Sequence, residues 1–468
     1  MHIRRAKIRR NTGGERFLLL KIKIIQKMYL PNFFTTMLLC SVCFFAKGEP
    51  ISEVDSVKIA TQNLTPKTES SHPIQLKKND LYIFNLIDTT PKAAVEVKKH
   101  WFETFSIRGY MQVRYNRLLE TNSQLKCEQC DRSWGDGGGF FLRRMRIIFS
   151  GNIHDRVYFY VQPDFASSAS TTSLHFGQLR DAYFDVALDA KKEFRFRIGQ
   201  SKIPYGFENM QSSQNRLPLD RNDAVNSALS NERDLGVMFY WAPEEKRKLL
   251  KSLVDDGLKG SGDYGVFGFG AFNGQTANRP ELNNKPQFVA RFSYPVKVKN
   301  QIIEPGIQAY TGDWTMPAEN LSTGVKYLKT LNYLDQRVAA TFVLYPKPFG
   351  IQAEYNVGRG PEFNKITDSV ETKPLRGGYV TLSYMVKKGN QIIIPFIRYQ
   401  HYEGGKKFET DARSYNVNEL ELAVEWQPYK NFELVAMYTI SERRAEDFKK
   451  QDNLQKGQLL RLQAQLNF

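Results

Sequence analysis

Arginines fall two residues apart in short stretches of this 468-residue chain: Arg144 and Arg146, Arg195 and Arg197, with Arg108 and Arg114 also on one parity. Arg291, Arg337, Arg398 and Arg461 are each followed directly by an apolar or aromatic residue, and Lys202 lies five residues beyond Arg197. A guanidinium stays ionised at physiological pH and grips phosphate or carboxylate oxygens with a planar fork of donors. The chemistry on offer is therefore recognition of small anions. Catalysis finds no comparable support. Of the histidines beyond the amino-terminal region, His72, His100, His154, His175 and His401, none lies at metal-ligand spacing or beside a serine in a nucleophile motif. Cys127 and Cys130 form a single CxxC, too little for a zinc site, and a local disulfide within a loop is the expected outcome. Neither a metal nor another cofactor is expected.

Charges at every second position need an element of period two to point them one way. In Ile107-Arg108-Gly109-Tyr110-Met111-Gln112-Val113-Arg114-Tyr115, odd positions are mostly apolar and even ones mostly polar. Successive strand side chains point to opposite faces, so such a strand has one greasy and one wet side. The pattern recurs to the last residue. It predicts strands near 105–118, 140–151, 156–166, 177–188, 193–200, 233–242, 263–273, 285–296, 303–313, 334–346, 349–359, 377–388, 391–402, 417–427, 430–442 and 457–468. These number sixteen, an even count as single-chain bacterial barrels have. Connections after odd strands are mostly long (119–139, 201–232, 314–333, 360–376, 403–416 and 444–456), while those after even strands are mostly turns such as Lys347-Pro348 and Gly389-Asn390. The exception, 243–262, is charged and reads as helical from Pro243 to Leu253, where a strand could be miscounted. The fold expected is an all-β transmembrane antiparallel barrel of about 16 strands.

The composition agrees. Aromatic residues make up 13% of the chain, yet mean hydropathy is −0.47. No run of eighteen apolar residues follows the leader, so a helical span is not expected. The formal charge of +17 is misleading as a nucleic-acid signature. Residues 1–48 hold ten Lys or Arg and one acid, which leaves 56 basic and 48 acidic side chains beyond them. Residues 1–48 read as a signal-peptide region, with the apolar run Met37–Ala46 behind a basic stretch, cleavage near Ala46 to Gly48, and Met28 as an alternative start. Residues 49–104, polar and Lys-rich with scattered prolines, read as a flexible periplasmic segment. The barrel is expected over 105–468, in the outer membrane of a bacterial cell. The chain ends in alternating residues up to Phe468, an ending that resembles the signal read by the outer-membrane assembly machinery.

With apolar positions against lipid, Arg108, Arg114, Arg144, Arg146, Arg195, Arg197, Arg291, Arg337, Arg398 and Arg461 fall on the luminal side. An arginine facing lipid at the midplane costs about 2–4 kcal/mol, which constrains that parity. Arg143 alone lands on the apolar face and is expected near a rim. Glu419, Glu421, Glu425 and Glu433 gather late in the chain, opposite the early arginines. Such an arrangement either sets a transverse field favouring anions or forms wall pairs that cancel.

Several stretches resemble the phosphate-selective porin O and P family: Phe141-Leu142-Arg143-Arg144-Met145-Arg146, Tyr158–Phe165, Leu179-Arg180-Asp181-Ala182-Tyr183-Phe184, Arg197–Gly206 and Glu232–Val237. The resemblance covers about 105–468. It implies a sixteen-stranded porin, a homotrimer, and an arginine ladder with lysines that guides phosphate or polyphosphate. Arg144, Arg146, Arg195, Arg197 and Lys202 sit on the matching motif positions. The loop after strand five, 201–232, occupies the place of the segment that narrows the pore in sixteen-stranded porins; otherwise it would be an external flap. The family's external lysine cluster has no counterpart in the loops, whose charges are mixed. The function expected is passive diffusion of small anions, phosphate among them, through an Arg-lined lumen. Alternatives are a general or sugar-permeable porin, with Tyr110 and Tyr183 stacking on sugar rings, and a non-conducting surface or structural barrel.

Overall fold

The period-two pattern folds into a single closed sheet. The computed structural model describes residues 100–118, 139–166 and 177–468. Residues 1–48, expected to be a signal-peptide region, nearly all of the 49–104 segment, and Cys127 and Cys130 lie outside these described residues. The strands are β1 (Ser106–Leu118), β2 (Gly139–His154), β3 (Val157–Asp164), β4 (Gln178–Ala187), β5 (Phe194–Lys202), β6 (Arg233–Trp241), β7 (Phe267–Phe272) and β8 (Gln287–Ser293, resumed at Val296–Val298). They continue as β9 (Gln301–Thr315), β10 (Asn332–Leu344), β11 (Phe349–Asn364), β12 (Ser369–Tyr384, resumed at Val386–Lys388), β13 (Gln391–Gly405), β14 (Ser414–Tyr429), β15 (Phe432–Glu446) and β16 (Leu454–Asn467). Each pairs antiparallel with its sequence neighbours, and β16 pairs with β1 from Tyr110↔Asn467 to Leu118↔Leu459, which closes the cylinder. Closure leaves no unpaired sheet edge in the bilayer.

The two faces separate as the alternation requires. On β10, Leu334, Val338 and Phe342 are exposed on the outside, while Tyr333, Asp335, Arg337, Ala339 and Val343 are buried on the inside. Phe184, Val237, Phe269, Phe288, Val357 and Leu382 continue the apolar belt. Among the described residues no helix is long and apolar enough to cross a membrane.

Two expectations need correction. The segment 360–376 is not a long loop: β11 runs to Asn364 and β12 starts at Ser369, so a tight hairpin projects outward. The ladder continues beyond the apolar belt, where Phe363 and Val370 pack with Trp314, Met316 and Tyr333 and strict alternation is no longer required. Arg143 does not face lipid near a rim. The β1–β2 register passes from Gln112↔Arg144 to Val113↔Leu142, so Arg143 is the extra residue of a β-bulge and reaches 3.6 Å from Asp220 in the interior. A bulge turns two consecutive residues to one face. A second one, between Gln162↔Asp181 and Pro163↔Leu179, buries Arg180 beside Asp181. The 243–262 connection holds no strand. It carries a helix at Glu244–Asp255, close to the span predicted.

Candidate functional site: the barrel interior

The connection after β5 does not form an external flap. Residues 203–232 lie inside the barrel and include two short helices, α1 (Phe207–Met210) and α2 (Asp223–Ala228). Their apolar residues Ile203, Tyr205, Met210 and Leu229 pack on the inner wall at Met238, Tyr240, Phe272, Val289 and Tyr310. Asn222 caps α2, its side chain accepting a hydrogen bond from the Val225 amide.

Arginines of the wall hold this loop. Arg114 and Arg461 both reach Asp220, at 3.3 and 2.6 Å. Arg398 joins Glu208 at 2.9 Å to the wall's Glu421 at 2.6 Å. Arg337 donates to the Ser227 hydroxyl and to the Ala224 and Ser227 carbonyls, with Asp335 at 3.0 Å behind it. Arg146 pairs with Asp164 at 2.7 Å and donates to Tyr110 and Ser213. Arg144 donates to Gln112. Arg291 is taken up by Glu304 at 3.0 Å and the Gly265 carbonyl. Seven of the eleven predicted pore-lining residues thus point inward and spend their donors on loop and wall.

Three of the four late acids are matched in the same way, and Glu433 shares the cation of Glu425, Lys259, at 4.0 Å. Glu419 meets Arg443 at 2.6 Å, Glu421 meets Arg398 and Arg461, and Glu425 meets Lys259 at 2.5 Å. On this side of the barrel the transverse field is locally cancelled.

The other four line open space. A cavity of about 800 Å³ on the β1–β6 side is bordered by Arg108, Arg195, Arg197 and Lys202. Arg156, Lys191, Lys192, Arg233, Arg247, Lys248 and Lys251 border it too, so eleven Lys or Arg face five Asp or Glu: Asp181, Asp185, Glu244, Asp255 and Asp263. Arg195 contacts Asp263 at 2.7 Å and Arg197 contacts Asp185 at 2.8 Å, while Lys202 donates to the Met210 and Gln211 carbonyls. Among the described residues Arg108, Arg156, Lys191 and Lys192 form no ion pair. The cavity opens at the rim of the short turns 155–156 and 188–193, the periplasmic rim of an outer-membrane barrel. Neither tyrosine expected to stack on sugars offers a free ring. Tyr110 is fully buried, and Tyr183 is covered by the Arg197 guanidinium at 4.0 Å.

Arg180, Arg233, Arg443, Lys406 and Lys407 also belong to the interior network and went unmarked in the sequence. Arg233 pairs with Asp181 at 2.9 Å, Arg443 and Lys406 with Asp223 at 2.9 and 2.5 Å, and Lys407 with Asp335 at 2.5 Å. A signal did exist for Arg180. Adjacent charges inside a strand, Arg180-Asp181, put one of them on the lipid side unless a bulge intervenes.

The loop carboxylates set an acid limit. Burial alone would raise the Asp223 carboxyl, but Arg443 and Lys406 outweigh it and hold it down to about 2. Asp220, buried among Arg114, Arg461 and Arg143, is likewise held well below the usual range. A depressed carboxylate stabilises the fold above its unfolded value, about 3.9, and that contribution disappears as pH falls through the folded value. Channel current is therefore expected to stay quiet from neutrality to about pH 3 and to grow noisy only as pH falls toward 2. Noise that sets in with the titration of ordinary carboxylates, near pH 4, would contradict the clamps.

A closed sixteen-strand barrel with an apolar outer belt and a loop folded into its lumen has the architecture of an outer-membrane porin, a channel of the bacterial outer membrane. Solved porins share the architecture. The chain is similar to Salmonella typhi OmpF in complex with daunomycin (TM-score 0.50, 12% identity, 78% of this chain and 97% of that one). It is also similar to the outer membrane channel DcaP of Acinetobacter baumannii (TM-score 0.49, 14% identity, 78% and 97%). An anion-selective porin from Comamonas acidovorans matches at TM-score 0.45 and 8% identity, over 78% and 99%. No curated protein matches the sequence. The chain belongs to the phosphate-selective porin O and P family, whose model matches residues 123–468.

Proposed function

We propose that this porin is a passive diffusion channel favouring small anions, phosphate among them, through the part of its lumen lined by Arg108, Arg195, Arg197 and Lys202. The observation that carries the reading is the excess of cationic over anionic side chains around the cavity of about 800 Å³ described above. Conduction needs a lined opening with binding weak enough to permit exit, and fixed guanidinium and ammonium groups in a narrow polar passage raise the local anion concentration. The arginines clamped to the inward loop shape this passage from behind and are not proposed as ion contacts.

A reversal potential measured across a planar bilayer in a salt gradient tests the reading. Anion preference is expected, together with a fall in chloride current when phosphate is added. Changing Arg108, Lys191 and Lys192 to Glu should move the reversal potential toward the cation value. Cation preference in the unmodified protein would sink the proposal. The sugar-permeable alternative gains nothing from Tyr110 or Tyr183, whose rings are occupied. Liposome swelling in neutral sugars separates the two readings. We further propose a homotrimer, which should show conductance steps in threes, and delivery to the lipid bilayer by the assembly machinery through Phe468. That residue is half exposed on the outer face, and its backbone is bonded both ways to Gly109.

A further inference from the structure

The β6–β7 connection occupies the periplasmic rim, where tight turns are the rule, yet it carries the twelve-residue helix α3 (Glu244–Asp255). Leu249, Leu250 and Leu253 form one stripe along it and are buried. They do not face lipid. They pack inside the barrel against Phe207, Leu217 and Leu219 of the inward loop and against lumen-facing wall residues such as Val343, Met385, Ile394, Phe396 and Met437.

The inner wall is therefore largely apolar at the lower ends of β9, β10, β12, β13 and β15, interrupted by Glu304, Glu425 and Glu433, in the half of the barrel that carries Asp335, Arg337, Arg398 and Arg461's partner Glu421 further up. A water-filled pore has no physical use for such a surface, since exposed apolar area in a lumen disfavours wetting. The helix supplies what covers it. The segment that follows is anchored too: Lys259 makes a buried pair with Glu425 at 2.5 Å, and Asp263 receives Arg247 at 2.9 Å and Arg195 at 2.7 Å.

The other edge of the helix borders the cavity. Lys248 and Lys251 are exposed there and, among the described residues, pair only with Glu244 and Asp255 of their own helix. Exposed pairs of that kind screen weakly and leave most of the charge available to a passing ion. Across the cavity stand Arg156, Lys191 and Lys192.

From this arrangement we propose that α3 is a resident periplasmic plug. It closes the half of the mouth beneath β9–β15 and confines permeation to a passage along β1–β6. Lys248 and Lys251 are specificity-determining residues at the exit of that passage. The proposal rests on the channel reading above and places a second constriction directly beneath the inward loop, on its periplasmic side.

The test uses the full-length protein in planar bilayers and liposomes. Replacement of residues 244–262 by a short Gly-Ser linker should raise single-channel conductance and admit oligosaccharides too large for the unmodified channel. K248E/K251E should lower the anion-to-cation permeability ratio by about fivefold, the size of one contact-distance charge interaction in water. Heat-modifiable gel mobility reports folding in each case. If the linker variant does not assemble, L249S/L253S keeps the chain length and should show the same loss of size exclusion. A folded linker or L249S/L253S variant with unchanged conductance and size limit overturns the plug, and an unchanged reversal potential in K248E/K251E overturns its role in selection. The channel reading fails separately, if the unmodified protein carries no current. A linker variant that then conducts would still support the plug.

Discussion

Exchange of Arg398 for methionine is expected to loosen the inward loop and to destabilise the barrel by about 3–5 kcal/mol. Arg398 is buried between two carboxylates, Glu208 of the loop at 2.9 Å and Glu421 of β14 at 2.6 Å. Glu421 keeps Arg461 at 3.0 Å, but Glu208 loses its cation and retains only the Asn222 backbone and side-chain amides. A buried charge stripped of its partner is costly, whereas loss of both partners together is far milder. Methionine preserves most of the stem's packing, so the loss reads out charge. The urea midpoint of refolded barrel should fall and single-channel noise should rise. R398M/E208Q should recover a large part of both. An R398M protein with an unaltered midpoint would show that the loop is held by packing alone.

Single-residue deletions should have opposite outcomes at two sites on the wall. Deletion of Arg143 removes the extra residue of the β2 bulge and lets Gln112 and Val113 face Arg144 and Leu142 in an unbroken ladder, so the barrel should still assemble. Deletion of Val338 from β10 has no bulge to absorb it. Every residue from Asn332 to Arg337 would change face, which turns Asp335 and Arg337 outward and Leu334 inward. Arginine in that position costs about 2–4 kcal/mol from the lipid contact alone, and the Ser227, Ala224 and Lys407 contacts go with it. No heat-modifiable barrel is expected from that variant. Recovery of a folded Val338 deletion at normal yield would mean that face parity is not what fixes the register.

Strand identity was legible because the bilayer and the wet interior impose one rule on every crossing. It holds for β10, where Leu334, Val338 and Phe342 alternate with buried residues. It fails to inform where the rule is relaxed. In β13, Ile392-Ile393-Ile394 gives no parity, because the inner side at Ile394 is covered by the apolar cluster around α3 instead of by water. Beyond the membrane, β11 and β12 continue with charges on both sides, so the hairpin there passed for a loop.

The inward direction of the arginines was likewise readable, since the lipid penalty dictates it. Their partners were not. Arg114 meets Asp220 more than a hundred residues away, and Arg398 meets Glu208 at nearly twice that separation. Nothing local in sequence distinguishes an arginine clamped to a loop from one bordering a cavity. The distinction between Arg398 and Arg197 depends on where residues 203–232 and 244–255 come to rest, and those segments follow packing in three dimensions.

The inward loop also has a mechanical consequence. It is tied at Asp220 to β1 and β16, at Phe207 and Tyr205 to Glu354 and Asn356 of β11, and at Asp223 to Arg443 of β15. These anchors stand on different sides of the cylinder, so the segment acts as a strut across its width. Trimming it to widen the bore would remove the member that keeps the wall from going oval, and a larger opening obtained that way should come with a softer, more deformable tube.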